Sequence, residues 1–182
     1  NHIINMPFYP EILYPDNIKR IPNTFLYVST TYPHKNHNRL IEAFCASYDD
    51  ISKGELILTV PFSDKELCSL IDEKKSIGYP ITNLGFIDRD KLIIKYKECE
   101  YLIFPSLAET FGLGLVEAID GGCKVIAADL PYTYEVCEPS FTFDPLSTTD
   151  IQKSITFAIE NQLAHSTKHI QNDINKLISY LK

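Results

Sequence analysis

Six short runs of aliphatic, aromatic and β-branched residues recur along this chain, and segments with helical spacing separate them. Several runs are apolar at consecutive positions, whereas a strand with one face in water would alternate apolar and polar residues. Strands of this kind are covered on both faces, as in a parallel sheet flanked by helices. The pattern therefore predicts a doubly wound α/β fold with a parallel sheet of about six strands. The predicted strands are Phe25–Val28, Glu55–Val60, Ile81–Phe86, Tyr101–Phe104, Lys124–Ala128 and Ser140–Phe143.

Amphipathic helices are indicated both between the predicted strands and after the last one. Their apolar residues recur three and four positions apart, which places them on one helix face. We expect the two stripes after the last strand to be terminal helices that pack on the sheet or against a partner domain. The four clearest stripes are Leu40, Ile41 and Phe44; Leu67, Leu70 and Ile71; Ile151, Ile155, Ala158 and Ile159; and Ile170, Ile174, Leu177, Ile178 and Leu181.

The length of 182 residues suits one domain with its own hydrophobic core. The chain begins with Asn1 rather than Met, and the Pro-bracketed segment Asn5–Pro10 is typical of a connection between domains. We therefore expect a fragment that lacks a preceding domain, with a processed or tagged N-terminus as the alternative. The expected organisation is a linker or first segment over residues 1–24, the sheet domain over 25–164 and a C-terminal helix over 165–182.

Charge and cysteine usage exclude several classes of function. The net charge is −7 and Lys and Arg form no cluster, so nucleic acid is not an expected partner, although one lysine and a few amides could hold a single phosphate ligand. Five widely spaced cysteines lack metal or redox spacing and indicate reduced thiols in a cytoplasmic protein. His165 and His169 have helical spacing but no third ligand, so no metal is expected. No apolar run approaches the roughly 20 residues of a membrane span.

The most informative segment is Pro105–Ala118, which follows the fourth predicted strand. Gly112 and Gly114 bracket the expected start of a helix, and glycine allows the close approach of a backbone to a ligand. In parallel sheets, ligands bind beyond the carboxyl ends of the strands. The first turn of a helix also offers unpaired N–H groups and a partial positive charge. This segment therefore predicts a diphosphate site built largely from backbone amides.

Three charged side chains are expected around that site. Glu117 lies about one helical turn inside and leans back toward the helix start. Because a carboxylate repels a diphosphate, we expect Glu117 to accept hydrogen bonds from sugar hydroxyls such as those of a ribose. Glu109 would approach the opposite side of the phosphates, and Lys35, in the polar loop after the first strand, would add positive charge. The alternatives are a helix-dipole glutamate, a solvated loop glutamate and a surface lysine.

These segments resemble the large retaining glycosyltransferase family that is often numbered four, whose architecture of two Rossmann-like domains is called GT-B. The resemblance rests on Glu109 and Glu117, which seven residues separate, within the segment Ser106–Ala118. It covers roughly residues 25–145 and implies the C-terminal, donor-binding domain of such an enzyme. Further support comes from Tyr27 to Asn36 with Leu40–Phe44, from Leu84–Ile87 before Leu92 and Tyr96, and from Gly121–Ile126.

The resemblance implies a role for each matching residue. Lys35 would contact the donor diphosphate and Glu109 the donor sugar near its reacting carbon, so these two are the candidate catalytic residues. Glu117 would hold the nucleotide ribose. Phe86 and Ile87 would border the base, although an aromatic residue at a strand end is also common in a core. The remaining implied nucleotide-sugar-binding residues are Ser106 lining the crevice; Phe111, Gly112, Leu113, Gly114 and Leu115 around the helix tip; and Thr30, where many relatives carry a second cation, Arg.

The implied reaction is the transfer of a hexose from a UDP-, GDP- or other nucleoside diphosphate sugar, with retention of configuration and without a metal or other cofactor. A missing N-terminal domain would hold the acceptor, so we expect the isolated fragment to be inactive. Polysaccharide assembly in the cytoplasm is the expected setting, with the full-length enzyme peripheral at the inner membrane face. Two alternatives stay open: half of a nucleotide-sugar epimerase or phosphorylase, and a non-catalytic α/β interaction module that docks through the terminal stripes.

Overall fold

The computed structural model describes residues 12–170 and 178–179, and parallel strands form its centre. Eight strands occur in this part of the chain: β1 (Ile21–Tyr27), β2 (Glu55–Leu58), β3 (Ile81–Asn83), β4 (Cys99–Phe104), β5 (Lys124–Ala128), β6 (Cys137–Glu138), β7 (Phe141–Phe143) and β8 (Thr167–Lys168). The helices between them are α1 (His37–Ile51), α2 (Lys65–Ser76), α3 (Arg89–Glu98), α4 (Leu113–Asp120), α5 (Pro131–Val136) and α6 (Thr148–Glu160), and a 3-10 turn spans Pro33–Lys35.

Six of the strands form one sheet in the order β3-β2-β1-β4-β5-β7, and every neighbouring pair is parallel. This confirms the predicted doubly wound sheet. The chain runs outward from β1 through β2 to β3 and then crosses to β4 on the other side of β1. The strand order therefore reverses between β1 and β4, which is where a sheet of this kind opens a crevice at its carboxyl edge.

The first strand begins earlier than predicted, at Ile21 rather than Phe25. The hydrophobic pattern missed this start because Pro22 and the polar residues Asn23 and Thr24 separate Ile21 from the apolar run that begins at Phe25. The residues before β1 are also fixed to the sheet domain: the Tyr14 hydroxyl donates to the Glu117 carbonyl at 2.6 Å, and the Arg20 guanidinium donates to the Gly121 carbonyl at 2.8 Å. Part of the segment 1–24, predicted as a linker or first segment, therefore contacts the sheet domain, and residues 1–11 lie outside the described part.

The predicted helix over 165–182 is wrong for residues 165–170. This segment contains β8, which pairs antiparallel with β6. The extended conformation is stabilised here by a hydrogen bond that the backbone N–H of His169 donates to the Val136 carbonyl at 2.9 Å. His165 and His169 consequently do not share a helix face, and His169 Nδ1 instead lies 2.7 Å from the Tyr134 carbonyl. Residues 171–177 and 180–182 of the predicted helix lie outside the described residues.

The apolar stripe of α6 belongs to the core. Ile151, Ile155 and Ala158 are buried, and α6 packs against α1, whose own predicted stripe is buried as well. The Ser47 and Thr156 hydroxyls also meet across the two helices at 2.9 Å. The interaction-module alternative therefore loses one of its two docking stripes, since this apolar face is already covered.

A buried histidine begins α1. His37 is 6% exposed, and its ring lies 4.9 Å from that of Tyr27, which is fully buried in β1. Burial penalises the imidazolium and lowers the pKa of His37 from 6.5 to about 4. The folded protein therefore holds this side chain neutral in a pH range where the unfolded chain would protonate it.

Acidification should consequently destabilise the fold through His37. The unfolded chain binds the extra proton below about pH 6.5 and the folded chain only below about pH 4, so stability falls as the pH drops through this window. We expect the free energy of unfolding to decrease by about 2 kcal/mol from this residue between pH 7.5 and pH 5. Urea unfolding at both pH values measures it. His37→Gln should reduce the pH dependence and the exposed control His165→Gln should not; equal pH dependence in the two variants would contradict the assignment.

Candidate functional site

Two loops meet at the carboxyl edge of the sheet where the strand order reverses: the β1 loop (residues 28–36) and the β4 loop (residues 105–112). The Leu107 N–H donates to the His34 carbonyl at 2.7 Å. Asn36 occupies the N-cap position of α1, yet its side chain makes no cap bond. Its amide instead donates to the carbonyls of Pro105 at 3.1 Å and Pro145 at 2.8 Å. These bonds fix the two loops against each other.

Fully buried Tyr27 and half-buried Tyr132 hold the same loops from within the domain. The Tyr27 hydroxyl donates to the Lys35 carbonyl, and the Tyr132 hydroxyl donates to the Ser106 carbonyl, each at 2.7 Å. Burial raises the pKa of both phenols, so they remain protonated donors. Neither contact was predicted from the sequence, because Tyr27 reads as an ordinary strand residue and Tyr132 lies outside every motif.

The loops bring together the two candidate catalytic residues. Lys35 Nζ lies 2.6 Å from Glu109 Oε1, and the side chains are only 15% and 12% exposed. Seventy-four positions separate the two residues in the sequence. An ammonium group has three donors, so Lys35 can keep this bond and still donate to a second anion. The structure therefore places the side chains of Lys35 and Glu109 in direct contact.

Glu117 lies on α4 with a partner for each carboxylate oxygen. Arg89 Nη2 is 2.9 Å from Oε1, and the hydroxyl of fully buried Tyr96 is 3.4 Å from Oε2. Sequence reasoning missed Arg89, although one signal was present. Arg89 is the first residue of α3, where a cation opposes the helix dipole and so does not serve the helix itself.

The start of α4 has the geometry of an anion site. Gly112 adopts φ of +60° at the N-cap, a conformation that is unfavourable for residues with a Cβ. No described side chain forms a capping hydrogen bond with the helix. The Leu115 N–H already bonds the Gly112 carbonyl at 2.9 Å, so Leu113 and Gly114 supply the amides at the helix tip. Leu115 itself is buried in the core. The set of backbone amides predicted to hold a diphosphate, Gly112 to Leu115, therefore loses that of Leu115.

Gly114 faces the sheet rather than open space. A Cβ added there would lie 3.6 Å from Phe104 Cε2 and 3.8 Å from the Tyr96 hydroxyl, both ordinary contact distances. Close packing of the helix on the sheet is therefore the role that the structure supports for this glycine. The expectation that Gly114 opens the backbone toward a ligand has no support in this geometry.

The other predicted residues differ in accessibility. Phe86 is 86% exposed and so is not a core residue, and Ile87 beside it is half-buried. Phe111 and Thr30 are exposed in the β4 and β1 loops. Ser106 is fully buried, and its hydroxyl donates to the Ala108 carbonyl at 3.0 Å. Ser106 therefore shapes its loop and does not line the crevice as predicted.

An aromatic residue that was not predicted lies next to Phe86. Phe62 follows β2, is largely exposed and packs on Gly85, where a Cβ would approach its ring to 2.4 Å. The side chain of Asn83 joins the two loops, since its Oδ1 accepts from the backbone N–H groups of Val60 and Gly85. The loops after β2 and β3 thus present two exposed aromatic rings at the same edge as Lys35.

Two open clefts flank the paired charges instead of containing them. One, of about 330 Å³, has Leu107 and residues after β5 and β7 in its wall. The other, of about 780 Å³, lies between the starts of α1 and α2 and includes Thr31 and Asn36. Within residues 12–170 and 178–179 no three His, Cys, Asp or Glu side chains are grouped as a metal ion would require. No helix in the same part of the chain is long and apolar enough to span a membrane.

Comparisons with known proteins agree on one family. The family model described as "Glycosyl transferases group 1" matches residues 11–176. The serotype-specific mannosyltransferase WbdA of Escherichia coli is 27% identical over 167 residues, which cover 86% of this chain and 20% of the relative. The O-antigen chain mannosyltransferase RfbU of Salmonella typhimurium is 26% identical over 152 residues, which cover 79% of this chain and 39% of the relative. The chain thus spans less than half the length of these relatives.

A solved structure shares the fold. The crystal structure of Anabaena Alr3699/HepE in complex with UDP and glucose superimposes with a TM-score of 0.64. The match covers 77% of this chain and 39% of that one, at 21% sequence identity. At this identity, the likeness bears on the architecture of the sheet and its helices.

Gly112, the N-cap of α4, and Gly114, in its first turn, should respond differently to alanine. Gly112→Ala places a side chain at φ +60° with its Cβ 3.1 Å from Val136 Cγ2, so we expect a loss of about 1–2 kcal/mol in the free energy of unfolding. Gly114→Ala meets only ordinary contacts inside a helix, so stability should stay unchanged or rise by up to about 1 kcal/mol. Urea denaturation compares the two, and an equal loss in both variants would contradict this geometry.

Proposed function

Because this chain belongs to the glycosyl transferases group 1 family and has the GT-B type of sheet, we propose that it binds the nucleoside diphosphate sugar of a retaining glycosyltransferase. The observation that carries the proposal is the ion pair of Lys35 with Glu109 beside the uncapped start of α4. A helix start and a lysine together attract a diphosphate, while a neighbouring carboxylate accepts hydrogen bonds from sugar hydroxyls.

In the proposed reaction, the bond between the anomeric carbon of the donor sugar and the diphosphate breaks. Negative charge then builds on the departing diphosphate, and Lys35 with the amides of Leu113 and Gly114 stabilises that charge. Glu109 orients the sugar near the reacting carbon. The acceptor oxygen bonds to the anomeric carbon on the face that the diphosphate leaves, so configuration is retained. Stabilisation of the leaving group is the contribution of this domain.

The nucleoside end of the donor would extend from α4 toward β3. We propose that Glu117 binds the ribose hydroxyls and that Phe86 and Ile87 border the base. The exposure of Phe86 supports this assignment, since its ring is free to contact a planar ligand. Thr30 and Phe111 remain proposed contacts at the rim of the two loops.

The rest of the enzyme is proposed from the relatives. The chain spans only 20–39% of the two mannosyltransferases compared above, so further domains are expected to hold the acceptor. Their names favour a hexose donor, with mannose as the first sugar to test, and the assembly of a polysaccharide. We propose that the chain alone transfers little or no sugar, because the acceptor site and the group that takes the acceptor proton would lie on another domain. No metal or other cofactor enters this proposal, and the proposed setting is the cytoplasmic face of the inner membrane.

An epimerase or phosphorylase half would use the same donor site, and no feature of the described residues favours it. A glycosyltransferase needs an acceptor, whereas an epimerase does not. A full-length enzyme that converted the donor sugar without any acceptor would point to the epimerase.

Calorimetric titration with UDP and with GDP tests the proposal. We expect at least one of them to bind, and Lys35→Gln to weaken that binding about tenfold, because a charge-assisted bond to phosphate contributes about 1.5 kcal/mol or more. Glu109→Gln should weaken binding of the matching sugar nucleotide more than binding of the diphosphate alone. The matched controls are Lys75→Gln and Glu73→Gln on exposed positions of α2. Binding of neither diphosphate at millimolar concentration would overturn the proposal.

A further inference from the structure

Glu117 poses an electrostatic problem for a diphosphate site. Its Oε2 lies 3.4 Å from the Tyr96 hydroxyl, and that hydroxyl lies 3.8 Å from the point where a Cβ of Gly114 would be. The carboxylate therefore stands beside the first turn of α4, where the proposed diphosphate would bind. A carboxylate beside a diphosphate repels it, and the repulsion is strong in a partly buried site. Glu117 is only 12% exposed, so water screens it poorly.

Among the residues that the structure describes, Arg89 is the cation that contacts this carboxylate. Its Nη2 lies 2.9 Å from Glu117 Oε1, and the guanidinium is half exposed. Two other cations near α3 and α4 are engaged elsewhere: Lys91 pairs with Asp88 at 3.2 Å, and Arg20 donates to the Gly121 carbonyl at 2.8 Å.

The position of Arg89 in α3 argues for a role outside that helix. Asp88 already caps α3 by accepting a bond from the Lys91 N–H at 2.9 Å. A cation at the first helical position is disfavoured by the helix dipole. Arg89 therefore reduces the stability of α3. Its contact in the structure is with Glu117 on α4, which points to a role outside α3.

We propose that Arg89 is a positioning residue that neutralises Glu117, so that the domain can bind a ribose and a diphosphate side by side. The inference rests on the proposed function. Arg89 and the Tyr96 hydroxyl each contact one oxygen of the carboxylate, and lone pairs remain on both oxygens for two ribose hydroxyls. With Arg89 paired to Glu117 and Lys35 paired to Glu109, the crevice carries no net charge from these four side chains. The helix start then attracts the diphosphate unopposed.

This role predicts that the loss of Arg89 weakens binding of a nucleoside diphosphate more than binding of the nucleoside alone. Loss of the Arg89 charge leaves Glu117 uncompensated, which opposes UDP but not uridine. A residue that merely supported the fold would affect both ligands equally. A residue that bound phosphate directly would matter just as much when Glu117 is neutral.

A double-mutant cycle with Arg89→Gln and Glu117→Gln distinguishes these cases. Calorimetry would measure UDP and uridine, or GDP and guanosine if the wild-type chain prefers GDP. We expect Arg89→Gln to weaken the diphosphate about five- to tenfold, a modest loss for a half-exposed arginine, and the nucleoside less than about twofold. In the Glu117→Gln background, Arg89→Gln should change diphosphate affinity less than about twofold. Arg89→Lys should retain most of the affinity, and the control Lys91→Gln all of it.

Each outcome decides the inference. Equal losses for diphosphate and nucleoside, or an undiminished loss in the Glu117→Gln background, would overturn it and leave the proposed function standing. If the wild-type chain bound neither nucleoside diphosphate, the same variants would be titrated with inorganic pyrophosphate. A fall in pyrophosphate affinity that Glu117→Gln abolishes would support the role of Arg89 even then, and no binding of pyrophosphate would overturn both proposals. Thermal unfolding of Arg89→Gln would verify that the variant is folded.

Discussion

The parallel pairing of β1 with β4 is the constraint on which the candidate site depends. These strands lie side by side although more than 70 residues separate them, so their following loops meet at one edge of the sheet. Hydrogen bonds from Leu107 and Asn36 then hold the loops together, and the hydroxyls of Tyr27 and Tyr132 support them from within the domain. The charges are therefore held in place before any ligand arrives, which is the arrangement that makes electrostatic stabilisation effective.

Charge pairing is the second organising feature. The two glutamates of the candidate site each have a cation: Glu109 has Lys35, and Glu117 has Arg89. Pairing lowers the cost of placing two carboxylates in partly buried positions. It also lets one site present hydrogen-bond acceptors to sugars and a positive helix end to phosphates. Membership of the glycosyl transferases group 1 family gives this arrangement its proposed use.

Hydrophobic pattern predicted the sheet well and its margins poorly. The six parallel strands and the buried stripes of α1 and α6 follow from runs of apolar residues, because burial on both faces leaves that signature. The start of β1 was missed because Pro22, Asn23 and Thr24 interrupt the apolar run. The segment 165–170 was predicted as helix because His165, His169 and the following isoleucines have helical spacing. In the structure that segment pairs with β6, a long-range contact that local periodicity does not encode.

For the site, the sequence by itself determined which chemical groups lie after which strands: Lys35 after β1, Glu109 and the left-handed Gly112 after β4, and Glu117 one turn into α4. Local spacing sets these positions, so a motif can reveal them. Only the tertiary structure decided which groups touch. It paired Arg89 with Glu117, buried Ser106, and turned Gly114 toward Phe104, because side-chain contacts between distant segments depend on how helices and loops pack and not on their separation along the chain.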